Sequence, residues 1–120
     1  MDALSSLNDA LAAAIDRAAP SVVQVQGHRR VAAGVVFAPD LVLAPAAALD
    51  DDVATLRVAD GSTHDLAVLG RAYSSGLAIA RLSGAGLTPF EPAPEPRVGH
   101  LAIAVGRTWS GGLMATWVWR

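Results

Sequence analysis

Asp40-Leu41-Val42-Leu43-Ala44-Pro45-Ala46-Ala47-Ala48-Leu49 is the stretch whose reading decides the fold. Leu41-Val42-Leu43 is a short aliphatic run of the kind that forms a buried strand. It follows Pro39-Asp40, a turn signal, because proline presets φ and aspartate bonds its own backbone. Residues 44–48 read as a helical turn filled with small residues.

The same texture extends in both directions. Upstream, Ser21-Val22-Val23-Gln24-Val25-Gln26 alternates, which places Val23 and Val25 on one face and Gln24 and Gln26 on the other. Gly34-Val35-Val36-Phe37-Ala38 is a second β-type run. Downstream, residues 53–58 form a strand, Asp60-Gly61 is the strongest hairpin signal in the chain, and residues 63–71 run back. Residues 77–82 follow. Short strands at this spacing predict a small antiparallel barrel.

The flanks differ. Leu4, Leu7, Leu11, Ile15 and Ala18 recur at helical spacing, so residues 4–18 read as an amphipathic helix across one end of the barrel, with Ser6 and Asp9 as a capping pair. Pro20 ends it. Residues 87–97 hold Pro89, Pro92, Pro94 and Pro96 and read as an extended linker of polyproline II character. Beyond it, residues 101–105 and 113–119 are two apolar strands around Ser110-Gly111-Gly112.

A chain of 120 residues with a 52% apolar fraction fits one compact fold with an ample core. The net charge is −2, from eleven acidic residues against nine arginines, with no lysine. No basic stripe or tail points to nucleic acid. Without cysteine there is no disulfide framework, thiol nucleophile or thiolate metal site. Met1-Asp2-Ala3-Leu4 lacks a basic leader and no long apolar run follows. The expectation is therefore no membrane span and a cytoplasmic chain by default, or one with its export segment trimmed.

Taken in order, Ala19-Pro20-Ser21-Val22-Val23-Gln24-Val25, Gly34-Val35-Val36-Phe37, Asp60-Gly61, Leu69-Gly70-Arg71, Leu77-Ala78-Ile79 and Arg97-Val98-Gly99-His100-Leu101-Ala102-Ile103-Ala104-Val105-Gly106 resemble the amino-terminal half of a trypsin-like serine protease, nearest to the bacterial HtrA type. That family has two perpendicular six-stranded barrels with the active site between them. The resemblance implies four segments. Residues 1–19 are the amino-terminal helix, 20–84 the first barrel, 85–96 a Pro-rich linker and 97–120 a hairpin that corresponds to the start of a second barrel. The fold class is thus all-β, a trypsin-like barrel with a short helix and a C-terminal hairpin.

The resemblance also locates what is missing. In the family a strand like Leu41-Val42-Leu43 ends in Ala-Ala-His, whose His is the general base; here Ala47 stands in that place. The Asp that orients the His falls at Gly76. The second barrel, which brings the nucleophilic Ser and the oxyanion hole, is represented only by its first hairpin. Proteolysis by this route needs nucleophile, base, orienter and oxyanion hole together. The chain is therefore expected to be no enzyme. Trp109-Ser110-Gly111-Gly112 imitates a nucleophile motif, but Thr108 replaces the family's Gly two residues before the Ser, and Ser110 comes far too early in the chain. It reads as a hairpin turn.

His28, His64 and His100 have no metal-ligand spacing, and Asp50-Asp51-Asp52 lacks the alternating oxygen ligands of a calcium loop. No metal or other cofactor is expected. The C-terminal hairpin carries more weight, because a lone hairpin is marginal in water and its edges expose backbone and aromatics. Such a hairpin can fold back on the barrel, pair with a second copy, or be completed by another polypeptide. Leu113, Trp117, Val118 and Trp119 are the candidate interaction residues, since Trp is enriched at binding hot spots. The expected partner is a second copy, giving a homodimer, or a completing protein. The expected function is a pseudoprotease domain acting in protein–protein interaction or self-association. The alternative is a fragment or split part of a trypsin-like peptidase whose catalytic serine lies on a separate segment.

Overall fold

The computed structural model describes residues 2–58, 60–83, 86–108, 110 and 112–118. The chain is mostly β. Helix α1 (Ala3–Ala18) leads through a 3₁₀ turn into β1 (Val22–Gln26), β2 (Val31–Ala38), β3 (Leu41–Pro45), β4 (Val53–Arg57), β5 (Thr63–Ala72) and β6 (Leu77–Leu82). These six strands close into a barrel in the order β1-β2-β3-β6-β5-β4, and β7 (Ala102–Arg107) and β8 (Leu113–Val118) form a separate two-stranded hairpin.

Every barrel pairing is antiparallel. The barrel closes where β1 meets β4, at Gln24↔Arg57, Val25↔Leu56 and Gln26↔Thr55. Alternation decides the inside. Val23, Val25, Val36, Val42, Ala44, Ala54, Leu56, Leu66, Ala78, Ala80 and Leu82 point inward and are buried. A six-stranded barrel is narrow, so its interior takes alanine and valine more readily than aromatics. Fully buried residues such as Leu49, Leu56 and Leu66 contribute about 2 kcal/mol each. Register shifts between Val36 and Ala38 in β2 and between Val68 and Gly70 in β5 supply the curvature that closure requires.

Local chemistry sets the connections. Asp2, not Ser6, caps α1. Its side chain accepts from the Ser5 N–H at 2.7 Å, and this bond with the Ser5 backbone holds its carboxyl below the usual range. The helix therefore starts one residue earlier than the periodicity of the leucines indicates. Pro20 stands in the 3₁₀ turn that ends it. The β4–β5 turn closes through Val58 N–H to the Ser62 carbonyl at 3.1 Å and Gly61 N–H to the Val58 carbonyl at 2.9 Å. Ser62 also bonds the Asp60 carboxylate, which lowers its pKa.

The sequence pattern and the structure diverge at β3. Ala44 and Pro45 belong to the strand, paired with Ala78 and Leu77, and only residues 46–48 turn. Long-range pairing with β6 overrides the weak strand preference of alanine. The turn is helical in kind, with Ala48 N–H to the Pro45 carbonyl at 3.0 Å and Leu49 N–H to the Ala46 carbonyl at 3.2 Å.

Candidate functional site

The two positions singled out as degenerate lie on adjoining segments. Strand β3 ends beside the start of β6, so the turn after β3 meets the turn before β6. The Ala46 N–H donates to the Gly76 carbonyl at 2.8 Å. Gly76 has φ +74°, a left-handed conformation that costs a side-chain-bearing residue strain. Ala47 and Gly76 are both exposed. The pair presents a methyl group and a hydrogen, with no proton acceptor and no carboxylate.

Neighbouring polar groups are engaged in holding loops. Arg71 donates from Nε to the Leu49 carbonyl and from Nη2 to the Asp51 carbonyl, both at 2.7 Å, which fixes the chain after the Ala46 turn. Asp52 lies 3.8 Å from the same guanidinium. His28 Nδ1 lies 3.8 Å from the Asp51 carboxylate, and both side chains are well exposed. Gly27 brings the β1–β2 loop against this region. A Cβ at Gly27 would sit 1.8 Å from the Ala48 carbonyl oxygen. His64 faces the Ser62 hydroxyl at 3.3 Å, and His100 Nδ1 accepts the Arg97 N–H at 3.0 Å. Among the described residues, no three His, Asp or Glu side chains gather as a metal site.

Ser110 is exposed in the β7–β8 turn, where its Oγ lies 3.0 Å from the Thr108 hydroxyl. Thr108 Oγ1 also accepts the Gly112 N–H at 3.1 Å. Among the described residues, the hydrogen-bond partner of the Ser110 hydroxyl is Thr108.

The hairpin docks on its own barrel. Arg107 donates from Nε to the Val22 carbonyl and from Nη2 to the Ala19 carbonyl, both at 2.9 Å. Burial pushes its pKa below the ordinary value, although arginine stays charged at neutral pH. Gln24 is wholly buried. It accepts from Gln26 Nε2 at 2.6 Å and donates to the Thr108 carbonyl at 2.5 Å. The alternation of β1 puts Gln24 on the polar side, which the structure respects, since it points away from the barrel interior. The hairpin then covers it. Nothing local in the sequence signals this, because Thr108 is 84 residues away.

Helix α1 joins this assembly through its half-buried stripe. Leu11 and Ile15 share an apolar groove with Ile103, Ala115 and Thr116, so the lower half of the helix faces the hairpin. Leu4 and Leu7 remain exposed. Of the candidate interaction residues, Leu113 is 40% exposed, and it sits beside Met114 at 56%. Trp117 and Val118 lie on β8 opposite Ile103 and Ala102. Their side chains, and all of Trp109 and Trp119, lie outside the described residues. Strand β8 pairs with β7 alone among the described residues.

No α-helix among the described residues is long and apolar enough to cross a membrane. The chain matches no family model and no curated protein.

Proposed function

We propose that this chain is a catalytically inactive trypsin-like domain, a pseudoprotease of HtrA style, that acts in protein–protein interaction or self-association. The observation that carries the reading is the 2.8 Å bond from Ala46 to Gly76. It joins the two segments where the resemblance requires base and orienter, and both stations are empty of the needed chemistry. The closed six-stranded barrel supports the same reading, as does the placement of the later hairpin outside it. Proteolysis demands groups that alanine and glycine cannot replace. A frame kept without them has its surfaces left to work with. Exposed Leu101, Leu113 and Met114 concentrate apolar surface on the hairpin.

Two measurements test this. A serine-directed fluorophosphonate is expected to leave Ser110 unlabelled, with no peptidase activity; stoichiometric labelling of that serine would overturn the inactive assignment. Light scattering is expected to show self-association that Trp117→Asp or Trp119→Asp weakens. A strict monomer at all concentrations counts against self-association. Among the described residues β8 pairs with β7 alone, and its outer edge favours a second reading, completion of a second barrel by a separate polypeptide.

A further inference from the structure

We propose that two copies of this chain associate by exchanging their C-terminal hairpins, each β7–β8 unit docking on the other copy's barrel through the contacts it makes within one chain. This rests on the self-association reading and gives it a mechanism. The docking surface is defined by its present occupant. It comprises the Val22 and Ala19 carbonyls that receive Arg107, the Gln24 amide that reaches Thr108, and Ala33. A Cβ built on Gly106 lies 3.5 Å from the Ala33 Cβ. None of these contacts depends on which copy supplies the hairpin.

The linker makes exchange feasible. The barrel's hold on the chain extends to Phe90, whose N–H donates to the Val36 carbonyl at 2.9 Å. Residues 91–101 are exposed throughout and contain three of the four linker prolines. At about 3.1 Å per residue, polyproline II geometry lets residues 91–96 span about 19 Å, after which the chain turns, with the His100 N–H donating to the Arg97 carbonyl at 3.0 Å. An exposed linker of this length lets the hairpin reach a neighbour's barrel as well as its own. Exchange conserves every docking contact, so its cost is the loss of one molecule's independence. The exchanged form should therefore grow with protein concentration towards the millimolar range, where effective and bulk concentrations become comparable.

The absence of native cysteine permits a direct test, because the Ala33–Gly106 spacing suits a disulfide. Ala33→Cys and Gly106→Cys are prepared as separate single variants, refolded together from denaturant at high concentration and oxidised. Exchange is expected to yield a dimer linked by a 33–106 disulfide between chains, in about half of the dimers if copies mix at random. The double variant A33C/G106C is the docking control and, as a monomer, must form the bond within one chain. A dimer by light scattering that lacks the 33–106 link overturns exchange while leaving self-association standing. A monomer throughout overturns both. Failure of the control to close its internal bond also overturns the proposal, since the hairpin would not dock as described.

Discussion

At the scale of single residues, Ala47 and Gly76 carry the functional reading, and they can be re-equipped. Ala47→His alone should titrate near the usual histidine value of about 6.5. Adding Gly76→Asp should raise that pKa by about one unit if the two stations face each other, because a nearby carboxylate favours the charged imidazole. The left-handed backbone at Gly76 taxes the aspartate by about 1–2 kcal/mol. Proton NMR titration reads the outcome, and identical pKa values in the single and double variants would separate the stations. These two positions are singled out by a resemblance alone, without which an alanine and a glycine say nothing. Gln24 was not legible in its role. Alternation set its direction correctly, but what covers it comes from the far end of the chain.

At the scale of elements, legibility followed how local each signal was. Strand β6 coincides with its alternating run, and the β4–β5 turn falls on Asp60-Gly61, because both signals lie within a few residues. The start of β2 came three residues before Gly34, since Val31-Ala32-Ala33 owes its strand state to pairing with β1. The loop at Gly27 was equally silent, although its packing is severe. A Cβ there meets the Ala48 carbonyl oxygen at 1.8 Å, a contact that backbone must yield to relieve. Gly27→Ala should therefore destabilise the protein by about 3 kcal/mol, with the loss visible as a lower denaturation midpoint at unchanged m-value. A shift below about 0.5 kcal/mol, the range of ordinary surface substitutions, would show that the loop moves freely.

At the scale of the whole molecule, barrel and hairpin are two sheets joined by polar contacts, by the apolar groove that Leu11 and Ile15 of α1 share with Ile103 and Ala115, and by an exposed linker. Arg107 contributes most to that junction, because a charged donor to two carbonyls outweighs a neutral one. Arg107→Ala should weaken docking by about 2 kcal/mol, which corresponds to about 30-fold faster amide exchange across β7 and β8. Barrel amides should stay protected. Equal acceleration in the barrel would mean that the two sheets open as one unit.

The closure of β1 against β4 has a kinetic consequence. Its three paired positions join segments about thirty residues apart, whereas the β1–β2, β2–β3, β4–β5 and β5–β6 pairings join neighbours along the chain. Local hairpins form in microseconds, and the ends of a long loop must wait for them. The β3–β6 pairing, from Leu41↔Arg81 to Pro45↔Leu77, spans at least as much chain, so it and the β1–β4 seam are together the late events of assembly. Weakening either should hasten unfolding far more than it slows folding, so the lifetime of the barrel, rather than its rate of formation, is set where β1 meets β4 and β3 meets β6.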